Sequence, residues 1–142
     1  MEIKILEFVR GAEEAEGTVV IIDVFRAFSV ACYAYDSGAA SVIATGEPAE
    51  AIRLKQEYRN CVLAGERNER KIEGFDFGNS PTEILQAGLT GITFIHTTTA
   101  GTSGLVSAAK AGEVLTGSLV NASAVAKYIL QQKPERVSLV AM

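Results

Sequence analysis

Thr18-Val19-Val20-Ile21-Ile22-Asp23, followed by the alanine-rich stretch from Arg26 to Ser37 and by Gly38, is the run whose reading decides the fold. Consecutive β-branched residues without alternation suit a strand covered on both faces, as in a parallel sheet. The run ends on a carboxylate. The alanines, Cys32 and the tyrosines beyond it suit a buried helix, which Gly38 closes as a C-cap. Ser41 to Thr45 then returns to strand, residues 48 to 58 return to helix behind Pro48, and Cys61 to Ala64 is a third apolar strand.

Outward from this core the same alternation continues. Residues 2 to 8 read as a strand and Gly11 to Gly17 as an acidic turn. A long loop runs from Gly65 to Pro81, where Ser80 as N-cap and Glu83 three residues on outline a capping box for a helix that Gly88 stops. A strand at Ile92 to His96, the turn Thr97 to Thr102, a helix to about Lys110, a strand at Val114-Leu115, a helix from Asn121 or Ala122 to Gln132 and a strand from Val137 to Ala141 complete the series. Strands alternating with helices imply an α/β fold: a three-layer α/β/α arrangement with a mostly parallel or mixed sheet. The two halves resemble each other. Gly38 corresponds to Gly112 (offset 74) and Gly46 to Gly117 (offset 71), so two related β-α-β-α-β units are expected. Residues 1–142 fit one domain by length. Because Leu139 to Ala141 matches Val62 to Ala64, the counterpart of the long loop would fall past Met142, and a domain incomplete at its C-terminus is expected.

Composition narrows the functional classes. With 48% apolar and 21% charged residues the chain is an ordinary globular sequence. The formal net charge is −4 and the cations are scattered, which argues against nucleic acid as a partner. No apolar run approaches the roughly 18 residues needed to cross a bilayer, so no membrane partner is expected. The N-terminus lacks the long apolar core and cleavage site of a signal peptide, which makes a cytoplasmic location the expectation. Cys32 and Cys61, without companion histidines, form neither a zinc site nor a disulfide framework and read as buried thiols.

Ligands of parallel sheets bind beyond the carboxyl ends of the strands. Four groups fall there: Asp23 with Arg26, Glu66 with Arg67, Glu73 and Asp76 of the loop, and the Thr97 to Thr102 turn. Asp23 reads either as a metal ligand or nucleophile, or as a carboxylate that caps the next helix and pairs with Arg26. Phe25, where a haloacid-dehalogenase type of phosphatase would want its second acid, weakens the nucleophile reading. Asp23, Glu66, Glu73 and Asp76 are hard oxygen donors of the kind Mg²⁺ takes alongside a substrate phosphate. Arg67, Arg70 and Lys71 would suit an anionic substrate, or the loop could be a solvated charged segment. Thr98, Thr99, Gly101 and Thr102 stand before a helix, where their donors could grip a phosphate or simply cap the helix. His96, the one histidine, reads as a satisfied core residue.

Several segments together carry a resemblance. Asp23-Val24-Phe25-Arg26-Ala27, Gly65-Glu66-Arg67, Lys71-Ile72-Glu73-Gly74-Phe75-Asp76-Phe77-Gly78-Asn79-Ser80-Pro81, the Thr-Thr-x-Gly-Thr turn and Gly117-Ser118-x-x-Asn121-Ala122 follow the order and spacing of the ComB family, the 2-phosphosulfolactate phosphatases. The resemblance implies Mg²⁺-dependent hydrolysis of 2-phospho-3-sulfolactate to 3-sulfolactate and phosphate, a step toward coenzyme M. It implies site roles for Asp23, Arg26, Glu66, Arg67, Lys71, Glu73, Asp76, Asn79, Ser80, Thr98, Thr99, Gly101, Thr102 and Asn121. The expectation is that Asp23, Glu66 and Asp76 work with the metal, with water as the attacking group. The arginines, Lys71, Asn79, Ser80, the threonine turn and Asn121 would bind substrate. Ala100 and Ser103 stand where the family has Asn and Arg. The competing expectation is therefore a non-catalytic small-anion-binding module, and a bare sheet edge makes a homo-oligomer a third possibility.

Overall fold

The computed structural model describes residues 1–142. Fourteen elements follow in order: β1 (Glu2–Glu7), α1 (Phe8–Glu14), β2 (Gly17–Ile22), α2 (Ala27–Asp36), β3 (Ser41–Thr45), α3 (Pro48–Glu57), β4 (Cys61–Arg67), β5 (Arg70–Lys71), α4 (Pro81–Leu85), β6 (Thr93–Thr97), α5 (Gly101–Ser107), β7 (Ala111–Gly117), α6 (Ala122–Gln132) and β8 (Arg136–Ala141). They build the expected layered α/β architecture, with the strands in two four-stranded sheets ordered β1-β8-β2-β7 and β3-β6-β4-β5. Every pairing is parallel except β4 with β5.

The two β-α-β-α-β units are present, but they are interlocked. β2, which begins the first unit, lies between β7 and β8 of the second, with Ile22 level with Gly117 and Ala141. β6, which begins the second, lies between β3 and β4 of the first, with Thr97 level with Thr45 and Gly65. Each unit thus supplies the other's middle strand. As a result the carboxyl ends of β2 and β6, and the turns leading into α2 and α5, belong to one neighbourhood.

Alternation along the strands sends successive side chains to opposite faces. Val19 and Ile21 meet Ala12 of α1, Ala27 and Phe28 of α2 and Val140 of β8, while Val20 and Val137 pack on Ile129 of α6. In the second sheet Phe94 and Ala64 meet Val30 and Ala34 of α2 and Ile84 of α4. Leu63 and Ile95 face the other way, onto Ala51 of α3 and Phe75. No helix is long and apolar enough to cross a membrane.

Three local expectations change. The acidic turn at Gly11 to Gly17 is mostly helix: Gly11, expected to open the turn, lies inside α1 and lets that helix sit against Leu6. The loop from Gly65 begins as structure, because β4 runs on to Arg67 and turns through Asn68 and Glu69, both left-handed at φ 50° and 65°, into β5. That is the backbone a two-residue hairpin requires. The capping box does not form. Ser80 makes no side-chain cap bond, and Glu83 Oε2 instead accepts the Gly78 N–H at 3.2 Å. The thiols Cys32 and Cys61 are free and half-buried.

Candidate active site

A cleft of about 550 Å³ opens beyond the carboxyl ends of β2, β4 and β6. Its walls are Asp23, Phe25 and Arg26 from the β2–α2 turn, Glu66, Asn68 and Glu69 from the hairpin, Asn79 from the segment before α4, and Thr99 and Ala100 from the β6–α5 turn. Two close approaches bring these elements together. At Gly65 a Cβ would lie 2.0 Å from the Thr97 carbonyl oxygen, so only glycine lets β4 pass β6 here. At Gly101 a Cβ would lie 2.8 Å from Asp23 Oδ2, so this glycine leaves the room that the carboxylate fills.

Glu66 is the most firmly held group of the cleft. It is 8% exposed. Its Oε1 accepts the Thr99 N–H at 2.7 Å, and its Oε2 accepts the Thr99 hydroxyl at 3.1 Å and the Glu69 N–H at 2.9 Å. Hydrogen bonds to a charged acceptor are the stronger kind, so this set fixes the carboxylate in one orientation. It also explains the hairpin tip: turning the chain at Asn68-Glu69 aims the Glu69 N–H back at Glu66.

Asp23 of the same cleft is buried, and its Oδ1 has no hydrogen-bond partner. Burial pushes its carboxyl above the ordinary value; the N–H groups of Ala27 and Gly101 and the Arg26 guanidinium pull it back, while Glu66 adds to the rise. A buried carboxylate oxygen without a donor is a costly arrangement in a folded protein unless a proton or a cation meets it. Three carboxylates, Asp23, Glu66 and Glu69, against the single guanidinium of Arg26 make the cleft acidic.

Behind the wall, His96 of β6 is 1% exposed, and its Nε2 lies 3.2 Å from Asn79 Oδ1. Burial lowers its pKa to about 4 against a raising influence from Glu66, so the imidazole is neutral. The core reading of His96 holds, and its partner is a residue of the cleft.

The structure brings Asp23, Glu66, Arg26, Asn79 and Thr99 together and sends the other expected site residues elsewhere. Arg67 is turned behind β4, where it donates to the carbonyls of Glu66 and Gly46 and to Thr97 Oγ1. Thr98 and Thr102 satisfy each other: Thr98 N–H donates to Thr102 Oγ1 at 2.7 Å and Thr102 N–H to Thr98 Oγ1 at 3.1 Å. With both at 1% exposure, and with Gly101 buried, the turn offers the cleft no free hydroxyl beyond Thr99, whose own donors go to Glu66. Ser103 adds no cation; its hydroxyl donates to the Thr98 carbonyl.

Asp76 is a fastener of the loop. Its Oδ2 accepts the Leu63 N–H at 2.8 Å and Lys55 Nζ at 3.0 Å. Burial alone would raise its pKa, but the Leu63 N–H and Lys55 outweigh it and hold the carboxyl below the usual value. Lys71 Nζ donates to the Asp76 carbonyl, Glu73 is exposed outside the cleft, and Ser80 precedes α4 without lining the cleft. Asn121 closes its own turn: Oδ1 accepts the Ser118 N–H at 2.8 Å and Nδ2 donates to the Thr116 carbonyl. The expected four-carboxylate metal set is therefore not assembled, and no group of three or more His, Cys, Asp or Glu residues is placed to hold a metal. Asn68, Glu69 and the 83%-exposed Phe25 line the cleft without having been expected there. An Asn between charged residues was the available signal for the hairpin.

The family model described as 2-phosphosulpholactate phosphatase matches residues 4–142. The chain belongs to that family. It is 46% identical over 128 residues to the probable 2-phosphosulfolactate phosphatase of Caldanaerobacter subterraneus subsp. tengcongensis, covering 89% of this chain and 53% of that protein. The corresponding protein of Carboxydothermus hydrogenoformans is 39% identical over 132 residues, 92% of this chain and 55% of its own length. That of Clostridium acetobutylicum is 41% identical over 115 residues, 80% of this chain and 49% of its own. The chain spans about half the length of these curated relatives. Of the segments that carried the resemblance, those around Asp23, Glu66, Asn79 and Thr99 reach the cleft, while the one around Asn121 closes a turn outside it.

Proposed function

We propose that the cleft is the reaction site of a Mg²⁺-dependent phosphatase that hydrolyses 2-phospho-3-sulfolactate, or a closely related small polyanionic phosphomonoester, to 3-sulfolactate and phosphate, as a step in coenzyme M biosynthesis. The observation that carries this reading is the orphaned, buried Oδ1 of Asp23 in a cleft that it shares with Glu66 and that holds three carboxylates and one guanidinium. Such a cleft repels a phosphomonoester unless a cation joins it. The donors are hard oxygens, and two carboxylates plus a phosphate are the set Mg²⁺ accepts while keeping several waters. Asp23 and Glu66 would hold the ion, which when bound supplies positive charge at the phosphoryl oxygens.

The chain's own residues do the rest. Arg26, the one cation on the wall, meets the phosphoryl or sulfonate oxygens through its planar fork of donors. Thr99 and the Glu69 N–H hold the Glu66 carboxylate in place against repulsion by the substrate's negative charge. Phe25 at the mouth covers the substrate from bulk water. Positioning and charge neutralisation do most of the work in phosphoryl transfer, so a histidine base is not needed.

The test uses the whole protein that contains this chain, with phosphate release from 2-phospho-3-sulfolactate measured across a Mg²⁺ titration. Asp23→Asn and Glu66→Gln are expected to lower kcat/KM by roughly 100-fold or more. Full turnover in Asp23→Asn would end the assignment. Tight binding of sulfolactate with no turnover in the wild type would instead establish an anion-binding module, the reading to which Ala100 and Ser103 point.

A further inference from the structure

The cleft contains an amide whose orientation is decided from behind. Asn79 is 9% exposed, and its Oδ1 lies 3.2 Å from His96 Nε2. A carbonyl oxygen only accepts, so Nε2 must carry the proton, which fixes the neutral imidazole in its Nε2–H tautomer. Asn79 Nδ2 then has no protein partner. It is not stranded in the interior either, because the one buried side-chain oxygen or nitrogen without a partner is Asp23 Oδ1. The NH₂ therefore reaches the open space of the cleft that Asn79 lines. The reverse orientation, Nδ2 donating to a bare Nε2, would turn the amide oxygen toward a wall that already carries Asp23, Glu66 and Glu69. Electrostatics selects the first arrangement.

We propose that His96 is a positioning residue of this site, holding the Asn79 amide so that its NH₂ donates to a phosphoryl or sulfonate oxygen of the bound substrate. The placement of His96 supports this. It sits on β6, the middle strand of its sheet, on the same face as Phe94, with the ring centroids 5.5 Å apart and tilted by 55°. An apolar side chain would pack there without a desolvated imidazole, so the ring needs a reason to be present. Burial keeps it neutral well below pH 6, which leaves Nε2–H available as a donor throughout the neutral range. The effect is to add a donor pair beside Arg26 in a cleft otherwise rich in acceptors.

This inference rests on the proposed anion-binding role of the cleft, and its test is built to fail separately from the phosphatase assignment. The whole protein is labelled with ¹⁵N-histidine and examined by long-range ¹H–¹⁵N correlation, the His96 signals being assigned by their loss in His96→Gln. The expected result is the Nε2–H tautomer, with Asn79→Ala moving its population. In parallel, binding of inorganic phosphate is titrated at saturating Mg²⁺. Asn79→Ala and His96→Phe should each weaken phosphate by about 10-fold or more, as befits a lost hydrogen bond to a charged group. The double variant should lose no more than either single one. His96→Gln, whose amide can still donate to Asn79, should restore most of the affinity. A dominant Nδ1–H tautomer, additive losses, or unchanged phosphate binding in His96→Phe would each overturn the inference. If phosphate binding follows the expected pattern while 2-phospho-3-sulfolactate is not hydrolysed, the phosphatase assignment falls and the role of His96 stands.

Discussion

Replacing His96 by Gln should change how the fold responds to acid. His96 has a pKa of about 4 in the folded protein against 6.5 for the ordinary side chain, with burial as the main cause. The folded-state pKa is depressed, so below pH 6.5 the unfolded chain binds a proton that the folded one refuses. The stability contributed by the neutral imidazole is complete above pH 6.5 and is lost as the pH falls toward 4. A difference of 2.5 pKa units corresponds to about 3 kcal/mol by the time pH 4 is reached. The assay is urea unfolding of wild type and His96→Gln at half-unit steps from pH 7.5 to 4. The raised pKa of Asp23 acts with the opposite sign over part of this range. It is present in both proteins, so the difference between them isolates His96. That difference should shift by about 3 kcal/mol in favour of the variant between pH 7 and 4. A difference that stays flat within about 1 kcal/mol would show that the imidazole is not buried in its neutral form.

Three further outcomes follow from the same geometry. Thr99→Val removes the hydroxyl that reaches Glu66 Oε2 but keeps the N–H to Oε1, so Mg²⁺ affinity measured by calorimetry should fall by about 10-fold with little change in Tm; unchanged affinity would remove Glu66 from the metal site. Because burial raises the Asp23 pKa above its ordinary value of 3.8, stabilisation by Mg²⁺ in thermal shift should begin to fade on acidification before an ordinary aspartate titrates. Asp23→Asn should abolish both the stabilisation and its pH dependence. Phe75→Ala opens a hole beneath α3 against Ala51, Leu63 and Ile95 and should cost about 3–5 kcal/mol in urea unfolding; a loss below about 1 kcal/mol would mean the loop is not anchored there.

The sequence made the elements readable but not their partners. The β-branched run from Thr18 to Ile22 and the alanines after Arg26 announce a strand and a buried helix through local periodicity alone. Which strand lies beside β2 is decided by pairings with β7 and β8, roughly a hundred residues away, and no local pattern records them. The same distinction separates the expected residues that reach the cleft from those that do not. Asp23, Glu66 and Arg26 are placed by the ends of strands, which the pattern located. Thr98 and Thr102 were plausible anion donors by type, yet each spends its hydroxyl and N–H on the other. Asp76 and Arg67 were plausible by charge, yet backbone groups of Leu63, Glu66 and Gly46 occupy them. Hydrogen-bond capacity is finite, and a sequence lists donors without saying where they are used.

The exchange of β2 and β6 between the two units has a consequence for how the chain can be divided. A cut in the connection near Gly88 would leave two fragments, each missing the central strand of its own sheet and carrying the one the other lacks. Neither could close alone, yet together they form a reciprocal lock in which each key is the other's missing piece. β1 also pairs with β8, from Glu2 beside Arg136 to Glu7 beside Ala141, so the strand earliest in this order needs a partner more than 130 residues later. Contacts so distant in sequence favour slow, concerted folding over assembly from the N-terminus.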